Sequence, residues 1–217
     1  LITSSAASDV YKRQGIWVAK KRYMMNVFDE EGVQYDIPKL KIMGVEAVKS
    51  STPEVCRGKI KDAIRVIMND SEDALIKFVN DFKEVFKTLS PEEVAFPRSC
   101  NNVNRYVDSN SIYKKGTPIH VKGALIYNHH INKHKLQRKY PLIKDGDKIK
   151  FLMLRQPNTV KDTVISFSKK IPYEFDLHKY VDYDTQFEKT FTDPLRFILD
   201  SIGWKLEREA TLEAFFG

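Results

Sequence analysis

The chain has 217 residues, 42% of them hydrophobic, and a formal charge of +7 with a pI near 9.2. That is enough apolar material for one large domain or two small ones, but no apolar run is long enough to cross a bilayer. The two cysteines, Cys56 and Cys100, lie far apart at no metal-ligand spacing, and there is no secretory signal. The chain therefore reads as soluble and intracellular, with a charge balance that favours polyanionic partners.

In chain order, the segment SSAASDVYKRQ (Ser4–Gln14) has no apolar periodicity. It matches, letter for letter, one reading frame of a common transposase-based sequencing adapter. Residues 1–14 are set aside as an adapter-derived scar, expected to be disordered, and the natural chain is expected to begin further upstream. From Ile16 to Val27 the pattern is extended. Trp17, Ala19, Lys21 and Tyr23 share one face, and Ile16, Val18, Lys20 and Arg22 the other. Three consecutive cations are unusual inside a strand because like charges repel, so an external countercharge is expected. DEEG (Asp29–Gly32) signals a turn and VQYDI a returning strand, which together make a hairpin.

A helix opens near Thr52, which can cap it, with Pro53 at its first position and Glu54 complementing its dipole. Val55, Ile60, Ile64, Ile67 and Met68 form its inward stripe, with Arg57, Lys61 and Arg65 outside. Ser71 caps a second helix, whose stripe is Leu75, Phe78, Phe82, Val85, Phe86 and Leu89, and the two helices read as an antiparallel pair. TPIHVKGALIYN, KIKFLML and DTVISFS read as strands or extended segments, with KDGD (Lys144–Asp147) turning between two of them. TDPLRFILDSIGW reads as a helix with Asp193 near its start, Pro194 at N1 and Gly203 at its end. The expected fold class is α+β.

Residues 105 to 170 hold fifteen Lys or Arg against four Asp or Glu, a balance of +11, so the rest of the chain sums to −4. These cations stand beside Tyr106, Tyr113, Tyr127, Tyr140 and Phe151 rather than in Glu–Lys helix pairs, an arrangement suited to salt-sensitive phosphate binding. No catalytic constellation is legible. His130 and His134 are four apart, but no Cys, Asp or Glu stands at ligand spacing, so no metal site is assigned. Asp145–Gly146–Asp147 is a turn, and there is neither a glycine-rich phosphate loop nor an assignable Ser-His-Asp set.

The run KKRYMMNVFDEEGVQYDIPKLKIMGVEAVKSSTP, with KGTPIHVKGALIYNHHI and FEKTFTDPLRFILDSIGW further on, closely resembles the replicative DNA polymerases of T-even-like bacteriophages, in polymerase family B. The resemblance begins near Gly15 and runs to the C-terminus. It implies that 15–50 is the C-terminal edge of the palm domain, a β-hairpin edge, and that 51–208 is the mixed helical and strand-containing thumb. By the same resemblance, 209–217 is a tail that binds the sliding clamp. It implies that Lys21 and Tyr23 contact primer-terminal duplex in the minor groove, where base acceptors depend little on sequence. Lys20 and Arg22, on the other face, would bind backbone phosphates or palm carboxylates. Thumb candidates for the DNA backbone are Lys114, Lys115, His120, Lys122, Asn128, Lys133, Lys135, Arg138 and Lys139. In the tail, Leu212, Phe215 and Phe216 form an apolar corner suited to a pocket on the clamp. The complete enzyme would extend primers with Mg2+ ions held by aspartates upstream, in the cytoplasm of the infected bacterium. This segment would carry no cofactor and no catalytic residue. The alternative is a stand-alone, clamp-tethered, non-catalytic nucleic-acid-binding module.

Overall fold

The fold is α+β, built on two separate three-stranded antiparallel sheets. A computed structural model describes residues 12–206 other than 31, 46 and 48. The chain runs β1 (Lys12–Ala19), β2 (Arg22–Glu30), β3 (Val33–Met43), α1 (Glu54–Asn69), α2 (Glu72–Phe86), α3 (Pro91–Val94) and β4 (Phe96–Cys100). It continues through α4 (Ile119–Lys133), β5 (Asp147–Met153), β6 (Val164–Phe167), α5 (Tyr183–Phe187), a π-helical segment (Glu188–Thr192) and α6 (Asp193–Leu199). These elements form two compact units: one of β1–β3, residues 56–85 and the C-terminal part from 191, the other of residues 50–55 and 86–190. The contact division thus groups the helix pair with the first sheet, whereas the sequence boundary at residue 50 separates them.

In the first unit β2 is the central strand, and Met24, Met25, Asn26 and Val27 are buried in succession. The α1 helix buries Cys56, Ile60, Ala63, Ile64, Ile67 and Met68. Ser71 caps α2 as expected, its Oγ accepting from the Ala74 N–H at 3.3 Å. Leu75, Val79 and Phe82 are buried on α2, while Val85, assigned to the inward stripe, is 52% exposed. Lys59 on α1 lies 5.5 and 5.7 Å from the Phe78 and Phe82 rings of α2. Residues at similar distances from the connecting turn therefore face each other, as in a helical hairpin. Phe82 meets Phe191 edge-on at 4.8 Å, joining α2 to the C-terminal segment.

Two expectations for this unit are corrected. The extended run from Ile16 is not one strand: β1 ends at Ala19, Lys20 and Lys21 form a tight turn, and Ala19 pairs with Arg22. Lys21 adopts φ +62°, and none of the Gly, Asn or Asp residues that usually announce such a turn is present. Second, β1 starts at Lys12, inside the segment set aside as a scar, because backbone pairing with β2 continues through Gln14.

In the second unit α4 packs on the β4–β5–β6 sheet. A Cβ at Gly123 would stand 2.5 Å from Ser166 Oγ and 2.7 Å from its backbone nitrogen, so only glycine lets this helix approach β6 so closely. The buried Ser166 hydroxyl donates to the His120 carbonyl at 2.7 Å, and the core around it includes Ile126, Ile131, Leu152, Ile165 and Phe167. Fully buried Gln186 donates to the Val94 carbonyl at 2.7 Å and accepts from the Met153 N–H at 3.1 Å, tying α5 to β5.

From Ile119 onward the segment TPIHVKGALIYN is the N-terminal part of α4, not a strand. Burial of eight of its residues, from Val121 to Ile131, leaves no apolar–polar periodicity to reveal a helix, and β-branched Ile119 and Val121 suggested an extended segment. KIKFLML and DTVISFS do contain strands, β5 and β6. KDGD turns into β5, with Gly146 at φ +84°, but follows a loop rather than a strand. Asp193 and Pro194 open α6 as read, and Gly203 at φ +73° lies in the turn after it.

Candidate nucleic-acid interface

The first group of candidates sits at the tip of the β1–β2 hairpin. A two-residue turn places Lys20 and Lys21 where both side chains are exposed, and neither has an ion pair among the described residues. The turn is held from below by Gly44, where an added Cβ would collide with the Lys21 carbonyl oxygen. Arg22 is half-buried and lies 5.0 Å over the Phe197 ring, so its charge is engaged with α6. Tyr23 pairs across the strands with Trp17, their rings 6.5 Å apart and near parallel at 28°. The crowding of like charge is relieved by geometry, since the turn splays Lys20 and Lys21 into solvent. The two lysines do not sit on opposite faces of one strand, as the period-two reading required. Trp17, which that reading left without a role, belongs to the same tip and is 42% exposed.

The second group belongs to the other unit, where the structure separates free cations from engaged ones. Lys122 is 2.7 Å from Asp162 and 4.8 Å from the Tyr113 ring centroid. Burial alone would lower its pKa, but hydrogen bonds with Asp162 and Tyr113 outweigh that and raise it. Asn128 clamps a single residue, donating to the Ile143 carbonyl and accepting from the Ile143 N–H, both at 2.8 Å. Lys139 is 2.6 Å from Glu174, and its hydrogen bond, with one from Tyr140, holds that carboxyl down at about 2. Lys114 donates to the Arg105 carbonyl at 2.9 Å. His120 is half-buried near Phe151, and burial followed by the charge of Arg98 lowers its pKa.

Lys115, Lys133, Lys135 and Arg138 remain, all exposed and without an ion pair among the described residues. Three of them lie at the end of α4, where cations also complement the helix dipole. The helix stops there because Lys135 turns left-handed at φ +56°, with the Leu136 N–H reaching back to the Ile131 carbonyl at 2.9 Å. His130 and His134 stack at 5.8 Å with planes 20° apart, and Phe175 packs against both. Burial, then the charges of His129, Lys133 and His134, push the His130 pKa down to about 4. Lys161, absent from the sequence-derived set, is also exposed and has no ion pair among the described residues. Its only signal was membership of the basic region. Leu212, Phe215 and Phe216 lie outside the described residues.

Unpaired lysines at a hairpin tip and an unpaired basic cluster beyond a helix end can hold a polyanion by charge, without reading sequence. No protein-family model matches the chain. Curated relatives, however, align along nearly its whole length. The DNA-directed DNA polymerase of Enterobacteria phage T4 is 31% identical over 207 residues, covering 94% of this chain and 22% of the phage protein. The DNA-directed DNA polymerase of Escherichia phage RB69 is 34% identical over 206 residues, covering 93% of this chain and 22% of the phage protein. The resemblance read from the sequence is thereby borne out: this chain matches a segment of a T-even-like phage DNA polymerase. It spans 22% of the length of these relatives.

Proposed function

We propose that the chain is the palm-edge and thumb part of a family B DNA-directed DNA polymerase, gripping primer–template duplex during viral replication. The observation that carries this reading is the alignment of at least 93% of the chain with two phage DNA polymerases. The +11 balance of residues 105 to 170 supports it, since a duplex grip needs cations in excess of internal partners. In this reading Lys20, Lys21 and Tyr23 meet the duplex near the primer end, and Lys115, Lys133, Lys135 and Arg138 hold phosphates. Lys122, Asn128 and Lys139 shape the surface that presents them. Arg22 orients the hairpin through Phe197.

Nucleotidyl transfer, with Mg2+ on aspartates, is assigned to the remainder of the polymerase. Among the described residues no three His, Cys, Asp or Glu are grouped to hold a metal. Clamp tethering through Leu212, Phe215 and Phe216, and action in the cytoplasm of the infected host, complete the proposal. Fluorescence anisotropy with a labelled primer–template duplex tests the grip. The expected result is binding whose affinity falls steeply with salt, by about 0.9 in the log–log exponent per phosphate contacted. Absence of binding in dilute buffer, or binding indifferent to salt, would overturn it.

A further inference from the structure

A cleft of about 510 Å3 opens beside α4 in the second unit, lined in part by Lys133, Lys161, His129, Tyr113 and Asp162. An acid in such a place should repel a phosphate, but this one is already neutralised. Asp162, only 9% exposed, is 2.7 Å from the Lys122 ammonium through one oxygen and accepts the Tyr113 hydroxyl at 2.7 Å through the other. Lys122 thus cancels the charge of Asp162 and leaves the two exposed lysines of the cleft uncompensated. A buried carboxylate with its full set of partners is also a rigid anchor, which fixes the Tyr113 loop and the turn carrying Lys161 to α4. Lys161 itself is held at φ +55°, and the Asn158 side chain bonds to the Arg155 and Asp162 carbonyls at 2.8 and 2.7 Å, closing that turn. The larger cleft nearby, about 830 Å3, has Asp108 and Asp145 in its wall and suits an anion less well.

We propose that the smaller cleft seats one phosphodiester of a nucleic-acid backbone, with Lys133 and Lys161 as its cations and the Lys122–Asp162–Tyr113 cluster as its support. This rests on the duplex-grip reading and adds a binding residue, Lys161, together with a positioning role for Lys122.

The experiment combines lysine acetylation footprinting of the full chain, read by mass spectrometry, with salt titrations of duplex binding. A short DNA duplex is expected to shield Lys133 and Lys161 together. Lys133→Ala and Lys161→Ala are each expected to lower the salt exponent, and the double variant to lower it by about 0.9, one phosphate's worth, so that roughly threefold less affinity is lost between ~50 and ~200 mM salt. Both positions are exposed, so thermal midpoints should stay unchanged. Steep duplex binding with both lysines still reactive, or with the native exponent in all three variants, overturns the cleft and leaves the grip standing. Shielding by sodium pyrophosphate but not by duplex overturns the assignment to a backbone phosphate. A chain that ignores duplex altogether overturns the grip and this assignment with it.

Discussion

His130 shows how little a residue's type says about its role until its surroundings are known. Its spacing from His134 is one a metal-binding pair could use, but no third ligand stands at ligand spacing and no metal site is assigned. The two rings stack on each other with Phe175 packed at an angle against both, and His130 is 7% exposed. Burial holds it neutral down to about 4, against 6.5 for the free side chain. The folded state therefore binds fewer protons than the unfolded chain between those values, so stability falls as pH drops from 6.5 towards 4. Urea unfolding at pH 7 and pH 4.5 should show a His130 contribution of roughly 2 kcal/mol lost on acidification. A His130→Leu chain should lose correspondingly less over the same interval, and an identical loss in both would show that His130 does not carry the effect. Glu174, held down at about 2 by Lys139, acts below this window: its stabilising share is present above pH 4.5 and fades as pH falls towards 2. At this scale the sequence names the charged residues but not which of them are engaged with internal partners. Lys122 and Asp162 are forty residues apart, and no local pattern announces a 2.7 Å pair between them.

At the scale of elements, legibility followed the strength of amphipathic pattern and punctuation. The helix pair was readable because Ser71, Pro53 and clear apolar stripes marked its ends and faces. The β5 and β6 strands were readable because short apolar runs were bounded by turn residues. Two elements failed for opposite reasons. The α4 helix is buried on most sides, so its sequence carries no moment to read. The Lys20–Lys21 turn lacks the residues that normally permit φ > 0, so the chain looked unbroken. Each of the two also contains a close backbone approach that a linear pattern cannot show. For α4 the approach is Gly123 against β6, and it is testable. Gly123→Ala would force a methyl group within 2.5 to 3.0 Å of Ser166 Oγ, Ser166 N and the Ile165 carbonyl carbon, two of which are backbone atoms that cannot swing aside. The expected cost is about 1–3 kcal/mol, despite the better helix propensity of alanine. Urea midpoints measure it directly, and an unchanged or higher midpoint would mean that α4 does not pack on β6 as described.

For the molecule as a whole, kinship was more legible than fold, because long sequence runs carried the resemblance to phage DNA polymerases while local pattern carried the elements. Of the sequence-derived candidates, those with no ion pair among the described residues fall in two sets: a two-lysine hairpin tip in one unit, and a broader basic set in the other. If the tip meets the primer end and the broader set holds backbone, mutations should divide the same way. Lys21→Gly removes the charge at a position whose φ of +62° already suits glycine, so the turn should be retained with no loss of stability. It should reduce the preference for a primer–template junction over continuous duplex by several-fold, while changing affinity for continuous duplex little. A Lys135→Ala/Arg138→Ala double variant should weaken both substrates alike and lower the salt exponent by about 1.8, two phosphate contacts' worth. Competition anisotropy with the two DNAs across a salt series separates these effects. Equal loss on both substrates from Lys21→Gly would remove the primer end from the hairpin's role, because a lysine that senses only phosphate charge has no means of telling a junction from an uninterrupted helix.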